Sequence, residues 1–410
     1  MNKNKILNDP VYGFVTIHSD LVFDIIEHPY FQRLRRIKQL GLTDLVYPGA
    51  LHTRFHHAIG AMHLMRNTLD NLRSKGHFMW DQESEAAQIA ILLHDIGHGP
   101  FSHALEFSLL KGIHHEHLSL LIMEELNRHF KGKLDLAIQI FNGKYPRKFL
   151  NELVSSQLDI DRLDYLKRDS FFTGVNEGNI GAERIIKMLD VHQESLVVEE
   201  KGIYSIENFL SARRLMYWQV YLHKASVSAE KMLISVINRA RDLTREGREV
   251  FASPSLKLFL EEEVTLPRFR EEPVFLQSFC ELDDYDIWGA IKIWSRHEDP
   301  ILRRLCNMLL NRKLFKVILS NEEIDEEDLE RLSDRIMKAF SITREQVKYF
   351  LVHGSMSNSA YIAGGQTINV LTKSGEVLDV ATASDLPNIK AMSKIVRKYY
   401  ICWPKSVPFD

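Results

Sequence analysis

The sequence predicts a mainly α-helical protein with small β-hairpins and a C-terminal lobe of mixed α and β structure. Its 410 residues are 45% hydrophobic and 26% charged, as in ordinary globular proteins. Apolar residues recur at helical spacing through most of the chain before residue 330, whereas alternating, β-branched runs concentrate after Thr343. We therefore expect a large helical domain over residues 1–330 and a smaller α+β lobe over residues 331–410.

The predicted helices follow a short hairpin near the amino terminus. Residues 9–17 alternate after a turn signal, which favours two short strands. Apolar periodicity then predicts helices over 21–27, 30–39, 54–73, 82–96, 116–129, 147–168 and 206–245. Glycine and proline within residues 97–100 end the fourth of these helices, so His94 and Asp95 are expected at its carboxyl end.

Further β-structure is expected in two places. Residues 195–199 and 202–206 predict a second hairpin that decorates the helical body. In the lobe, strands are expected at 349–353, 367–372, 377–380 and 399–403, with a hairpin turn at 373–376.

Composition excludes several classes of protein. A net charge of −3 gives no global field that would hold nucleic acid or anionic lipid, so neither is expected as a partner. No apolar run approaches the roughly 18 residues of a spanning helix, so no membrane association is expected. The three cysteines are isolated, which argues against disulfides and thiolate zinc sites and favours a reducing, cytoplasmic location.

Histidine is concentrated near the start of the chain, where 14 of the 18 lie within the first 129 residues. Four potential metal ligands stand out there and just beyond: His57, the adjacent pair His94 and Asp95, and Asp161. Two imidazoles and two carboxylates suit a borderline or hard divalent ion and leave positions for water and phosphate oxygen. A hydrogen-bonded His–Asp pair in a core is the alternative that the dipeptide alone would favour.

Other polar residues accompany these four at suggestive spacings. His98 and His103 follow on a glycine-rich turn, and the run 114–117 adds further histidines or forms an exposed loop. Asp161 is followed at helical spacing by four residues that would share one face of a helix: Asp164, Tyr165, Arg168 and Asp169. A later helix presents cations and phenols on one face, which suits a triphosphate and a sugar or else fills a core; these are Arg213, Tyr217, Tyr221 and Lys224.

The ordered motifs 8–10, 31–41, 54–57, 94–103 and 159–165 resemble the HD superfamily. Within it, residues 5 to about 230 resemble the dNTP triphosphohydrolases, which include the vertebrate SAM- and HD-domain enzyme and its bacterial relatives. The resemblance implies a helical HD-domain fold and release of intact triphosphate from a deoxynucleoside triphosphate. It assigns His57, His94, Asp95 and Asp161 to a divalent ion, which could be Mn, Fe, Mg, Zn or Ni.

The resemblance also implies roles for residues around the ion. His98, His103 and His115 would line the triphosphate, with His103 as proton donor to the leaving oxygen and Glu106 as its acidic partner. Phosphates and sugar would be held by Arg54, Arg162, Tyr165 and Lys224, and the nucleoside would meet Gln39 and Leu40. Tyr217 stands where the vertebrate enzyme carries histidine, which puts base and sugar preference in doubt.

An activating guanine nucleotide and assembly into a homodimer or homotetramer are further expectations from the family. The matching positions are Lys5, Asn8, Glu27, Gln32 and Arg35, although Glu27 replaces an aspartate. The alternative is that these charges merely pair at a dimer surface.

Two other functions are compatible with an HD-type metal core. An HD phosphodiesterase or nucleotidase acting on another nucleotide shares the metal core, but the sequence lacks a Glu-Asp continuation after the HD pair and a Gly-Tyr-Pro motif. A nucleotide-sensing regulator without turnover would have lost a ligand, and all four are present.

Overall fold

The computed structural model describes residues 5–101, 103–110, 112–358, 367–386 and 396–409. Helices dominate these residues, which confirms the predicted mainly α fold class. The helices are α1 (Asp20–Glu27), α2 (Pro29–Gln32), α3 (Arg54–Ser74), α4 (Asp81–Leu93), α5 (His103–Ser108), α6 (His115–His129), α7 (Asp135–Phe141), α8 (Lys148–Val154), α9 (Ile160–Thr173), α10 (Ala182–Met188), α11 (Ile203–Met216), α12 (Lys224–Arg245), α13 (Pro254–Glu261), α14 (Leu266–Glu271), α15 (Pro273–Glu281), α16 (Asp284–Trp294), α17 (Pro300–Leu310), α18 (Glu326–Phe340) and α19 (Val380–Ala383).

Strands form three small sheets over the described ranges. They are β1 (Lys5–Asp9), β2 (Gly13–Ile17), β3 (Leu189–His192), β4 (Ser195–Glu199), β5 (Lys316–Ser320), β6 (Val352–Asn358), β7 (Asn369–Leu371), β8 (Val377–Asp379) and β9 (Val396–Trp403). The strand orders are β1-β2, β3-β4-β7-β8 and β5-β9-β6. β7 pairs in parallel with β4, so part of the predicted lobe extends a sheet of the helical body. The division near residue 330 stays a prediction.

The second predicted hairpin is wrong in its pairing. β4 pairs antiparallel with the preceding strand β3, whereas residues 203–206 begin helix α11. Helical packing overrides the short alternating pattern because Ile206, Phe209 and Leu210 are all buried at helical spacing. The glycine at 202 also lies too close to Met188 and Val198 for any side chain.

Three long predicted helices are interrupted. Residues 147–168 form α8 and α9, because Asp159 accepts a hydrogen bond from Arg162 N at 2.8 Å and caps a new helix. Residues 206–245 form α11 and α12 around a π-helical turn, Tyr217–Tyr221. Residues 30–39 contain only the short α2 and the 3-10 turn Arg33–Arg36.

The site described below lies where α3, α4 and α9 pack together inside the main core. Their facing positions are apolar and fully buried, among them Ile91, Leu92 and Leu163. Burying such side chains stabilises each by about 1.5–3 kcal/mol. This packing fixes the helix ends that carry the polar residues. Among the described helices, none is both long and apolar enough to cross a membrane.

Candidate metal centre and nucleotide pocket

Three helix ends bring the four expected metal ligands together. His57 lies in the first turn of α3, His94 caps the carboxyl end of α4, and Asp161 lies in the first turn of α9. Asp95 follows His94 directly because α4 stops there. The packing of α3 against α4 and α9 therefore converts three distant motifs into one cluster.

The donor atoms of this cluster are separated by distances that suit a shared ion. His57 Nε2 lies 3.1 Å from Asp161 Oδ1 and 3.4 Å from His94 Nε2. His94 Nε2 lies 3.3 Å from Asp95 Oδ1 and 3.4 Å from Asp161 Oδ1. Donors about 2.1 Å from one ion are about 3.0 Å apart at right angles and about 3.4 Å apart at tetrahedral angles. His57, His94 and Asp161 therefore fit one divalent ion, and Asp95 lies beside them in a second group of donors with His98 and His115.

Outer hydrogen bonds orient these ligands. His94 Nδ1 donates to the Ile91 carbonyl at 2.6 Å, which leaves a lone pair on Nε2 for the cluster. Asp164 Oδ2 lies 2.8 Å from His57 Nδ1, and Arg54 Nη1 donates to Asp95 Oδ2 at 2.5 Å. Partners of this kind hold the donor atoms in place before an ion binds.

Hydrogen bonds within the cluster favour a protonated His57 beside an ionised Asp161. Burial opposes protonation of His57, but hydrogen bonds to Asp161 and Asp164 outweigh it and raise the pKa of His57 to about 10. Burial likewise disfavours ionisation of Asp161, yet hydrogen bonds from His57 and His94 lower its pKa well below the ordinary value. A cation would replace these protons.

Two further histidines face the cluster. The rings of His98 and His115 stack with centroids 3.7 Å apart, and His98 Nε2 lies 3.4 Å from Asp95 Oδ1. Burial and the nearby Arg54 charge lower the pKa of His98, which favours its neutral form. Burial lowers the pKa of His115, but a hydrogen bond with Glu106 at 3.1 Å raises it above the ordinary value. The side chain of His103 lies outside the described part of the structure.

A cavity of about 820 Å³ contains this site, within the size range of small-molecule pockets. Most of the expected substrate residues line it: Gln39, Leu40, Arg54, Arg162, Tyr165, Tyr217 and Tyr221. The structure places Arg213 and Lys224 elsewhere. Arg213 is buried and donates to Gln157 Oε1 at 3.0 Å, whereas Lys224 is exposed at the start of α12.

Several residues that line the cavity were not among the expected site residues, and three of them are Asp169, Ser226 and Glu230. Asp169 is buried, with Oδ1 2.7 Å from His52 Nε2 and Oδ2 accepting from the Tyr221 hydroxyl at 2.8 Å. The spacing along α9 places Asp169 on the face that carries Asp161, but that spacing alone assigned it no role in the site. Ser226 and Glu230 line the cavity from α12, whose inward face depends on the π-helical turn before it.

The expected activator residues lie around the amino-terminal hairpin and the segment after α1. Lys5 and Asn8 are exposed on β1, and Glu27 is exposed at the end of α1. Gln32 Oε1 accepts from Arg35 Nε at 2.8 Å, and the Arg35 guanidinium lies 3.6 Å from the centre of the Phe55 ring.

Known proteins share both the sequence motifs and the architecture. Residues 54–169 match the HD domain family, and residues 180–252 match the HD associated region. The uncharacterized protein YwfO of Bacillus subtilis is 32% identical, over 100% of this chain and 94% of the relative. The crystal structure of a phosphohydrolase from Bacteroides thetaiotaomicron has 53% sequence identity and a TM-score of 0.95, over 98% of this chain and all of that one.

More distant relatives carry a named activity. The deoxynucleoside triphosphate triphosphohydrolase SAMHD1 homolog of Dictyostelium discoideum is 30% identical over 58% of this chain. The chain spans about half the length of that relative, 49%. The family matches, the relatives that align over nearly their whole length and the clustered His and Asp donors agree with one another. The chain belongs to the HD-domain family of metal-dependent phosphohydrolases.

Proposed function

We propose that this protein hydrolyses deoxynucleoside triphosphates to deoxynucleoside and inorganic triphosphate. The observation that carries the proposal is one cavity lined by Asp95, Asp161, cationic side chains and the Asp169–Tyr221 pair. Relatives named as deoxynucleoside triphosphate triphosphohydrolases support the choice of substrate. We propose His57, His94, Asp95 and Asp161 as the metal ligands.

Side chains at one end of the cavity suit a triphosphate. When bound, a divalent ion supplies charge stabilisation at phosphate oxygen and favours ionisation of water. Arg54 and Arg162 both line the cavity, so their guanidinium groups would balance the phosphate charge. Attack of water on the α-phosphorus breaks its bond to the 5′ oxygen, which then requires a proton.

A histidine would supply that proton. His103 is proposed as the donor on the family resemblance. His115 is a second candidate, because its hydrogen bond with Glu106 favours the protonated imidazole and its ring lines the cavity. His98, which favours its neutral form, is better suited to orienting a phosphate or a water molecule.

Side chains elsewhere in the cavity suit a deoxyribose. The Asp169 carboxylate offers an acceptor for a sugar hydroxyl, and its bond with Tyr221 holds it in place. The Tyr221 ring lies edge-on to Tyr165 and Tyr217, with centroids 6.1 and 5.2 Å away. A wall of aromatic rings discriminates only modestly against an added hydroxyl, by up to about 100-fold, and we propose that it favours deoxyribose over ribose.

Regulation and assembly form a separate part of the proposal. An activating guanine nucleotide would use Lys5, Asn8, Glu27, Gln32 and Arg35, of which Gln32 and Arg35 already form a hydrogen-bonded pair. A homo-oligomer is supported by the exposed apolar side chains of the hairpin, since Ile6 is 58% and Phe14 is 72% exposed.

The test uses the purified full chain reconstituted with Mn²⁺ and incubated with each dNTP and each NTP, with and without GTP. Products are separated by anion-exchange chromatography. We expect deoxynucleoside and intact triphosphate from dNTPs, and slower turnover of NTPs. Release of phosphate or pyrophosphate, or turnover of monophosphates alone, would contradict the proposal and favour a nucleotidase.

A further inference from the structure

We propose that Asp9 and Arg168 are positioning residues for His57, so that the amino-terminal hairpin helps to set the metal affinity of the site. The inference rests on the proposed ligand set. Neither residue was among the expected site residues, and neither lines the cavity described above.

A continuous series of charged contacts connects the hairpin to His57. Asp9 Oδ2 accepts a hydrogen bond from Arg168 Nη1 at 2.8 Å. Arg168 donates twice to Asp164, from Nε to Oδ2 at 2.9 Å and from Nη2 to Oδ1 at 3.0 Å. Asp164 Oδ2 also lies 2.8 Å from His57 Nδ1. Asp164 thus helps to orient the imidazole, and Arg168 links Asp164 on α9 to Asp9 on the hairpin.

All four residues of this series of contacts are buried. Arg168, Asp164 and His57 are 0% exposed, and Asp9 is 6% exposed. Buried charges are costly unless each has partners with good geometry. Asp9 accepts from Arg168 Nη1, while Asp164 accepts from the other two guanidinium nitrogens. The hairpin therefore completes the electrostatic environment of the metal ligand.

Helix α3 is built to admit this pair. A side chain at Gly60, three residues after His57, would place its Cβ 2.0 Å from Arg168 Nη2 and 2.2 Å from Asp164 Oδ1. Real Cβ atoms do not approach other atoms so closely, so only glycine fits while the pair stays in place. The α3 backbone thus supplies both the ligand His57 and the space for its outer partners.

Asp9 also shapes the turn of the hairpin. Its Oδ1 accepts from the backbone nitrogens of Val11 at 2.8 Å and Tyr12 at 3.0 Å, while Oδ2 binds Arg168. The Tyr12 ring covers the Arg168 guanidinium, with 5.5 Å between its centre and Cζ. A change in the turn would therefore move the carboxylate that Arg168 depends on.

The experiment measures the Kd of Mn²⁺ for the full chain by isothermal titration calorimetry, without nucleotide. Asp9→Asn keeps an oxygen for the turn but removes the charge that faces Arg168. Loss of a direct partner of a metal ligand typically costs about 10- to 100-fold in metal affinity. Because Asp9 acts through Arg168 and Asp164, we expect Asp9→Asn to cost no more than the lower end of that range, about tenfold. Arg168→Lys should weaken binding further, because lysine cannot bridge both carboxylates.

The matched control is Asp20→Asn, which removes an exposed carboxylate near the hairpin and should leave the Kd unchanged. Circular dichroism at the titration temperature shows that each variant is folded, and Asp9→Asn serves where Arg168→Lys does not fold. A folded Asp9→Asn with lower thermal stability but the Kd of the wild type would overturn the inference, since Asp9 would then hold only the hairpin. Unchanged Mn²⁺ binding by His57→Ala would instead refute the proposed ligand set, and the inference with it.

Discussion

Two regions of the cavity differ in how many of their polar atoms have hydrogen-bond partners. One is the metal end, and the other, here called the α12 wall, comprises Ser226 and Glu230 of α12 together with Gln39. At the metal end, His57, His94 and Asp95 each have an outer partner within 2.8 Å. In the α12 wall, Gln39 Oε1 and Ser226 Oγ are buried without a hydrogen-bond partner in the described structure. An unsatisfied buried polar atom costs about 1–3 kcal/mol, which a ligand could recover.

This difference separates chemistry from recognition. Donors that are fixed in advance cost no reorganisation when charge develops during a reaction. Buried polar atoms without a hydrogen-bond partner instead favour a ligand that supplies the matching donor or acceptor. We therefore expect substitutions at the metal end to change turnover of every substrate, and substitutions in the α12 wall to change the ranking of substrates.

The largest effect is expected from removing a metal ligand. His94→Ala or Asp161→Ala should lower kcat/KM by at least about 1,000-fold for every dNTP, since the ion supplies several kcal/mol of charge stabilisation. Steady-state kinetics and Mn²⁺ content measure the effect, and circular dichroism should show an intact fold. Asp70→Ala, an exposed change on α3, is the control. A variant that selectively loses one base while keeping its metal would break the proposed division.

A substitution at the sugar should cost less. Asp169→Asn should reduce kcat/KM by about 10- to 100-fold, the value of a hydrogen bond to a charged group. The wild type should also lose activity towards a 3′-deoxy dNTP, whereas Asp169→Asn should distinguish the two substrates poorly. Equal discrimination by both proteins would place the sugar elsewhere. Because Asp169 also binds His52 and Tyr221, the thermal stability of the variant must be measured alongside.

The metal end should also show a specific pH dependence. The pKa of His57 in the metal-free site is raised to about 10 from an ordinary 6.5, so this group stabilises the folded state below pH 6.5. That contribution is lost as the pH rises through about 10, and the melting temperature of the metal-free protein should fall over this interval.

Mn²⁺ displaces the proton, so its apparent affinity should fall as the pH is lowered, by up to about tenfold per pH unit for each proton released. Calorimetry in buffers of different ionisation enthalpy counts the released protons, and no release would contradict the clustering of His57 with the carboxylates.

The smallest effect is expected in the α12 wall. Glu230→Gln should change the relative kcat/KM values among the four dNTPs by less than about tenfold, because its side chain is partly exposed and screened. Mn²⁺ affinity should not change. Competition between dNTPs in one reaction measures the ranking, with Glu246→Gln beyond the end of α12 as the matched control. An equal loss for all four bases would sharpen the comparison by assigning Glu230 to phosphate or metal binding.

The sequence predicts the metal cluster better than the recognition surface, for a physical reason. His94, Asp95 and Asp161 lie at helix ends that glycine, proline and a capping aspartate define locally, so their positions follow from short-range rules. The inward face of α12 depends on the π-helical turn Tyr217–Tyr221, which shifts the helical register without a composition signal. Ser226 and Glu230 were missed for this reason.

Long-range pairing accounts for most of the remaining differences. Asp9 and Arg168 are 159 residues apart, and no spacing rule connects them. The parallel pairing of β4 with β7 likewise joins residues 198 and 370 and could not be inferred from local alternation. By contrast, the hairpin of β1 and β2 was expected because its turn signal and its strands are neighbours in the chain, although β1 precedes the residues 9–17 from which the hairpin was predicted.

The most direct test of the account is hydrolysis of a dNTP by the Mn²⁺-loaded full chain in water labelled with heavy oxygen, followed by mass spectrometry of both products. Attack of water on the α-phosphorus predicts one labelled oxygen in intact triphosphate and an unlabelled deoxynucleoside. Labelled pyrophosphate or phosphate with a nucleotide as second product, or label in the deoxynucleoside, would contradict the proposed reaction.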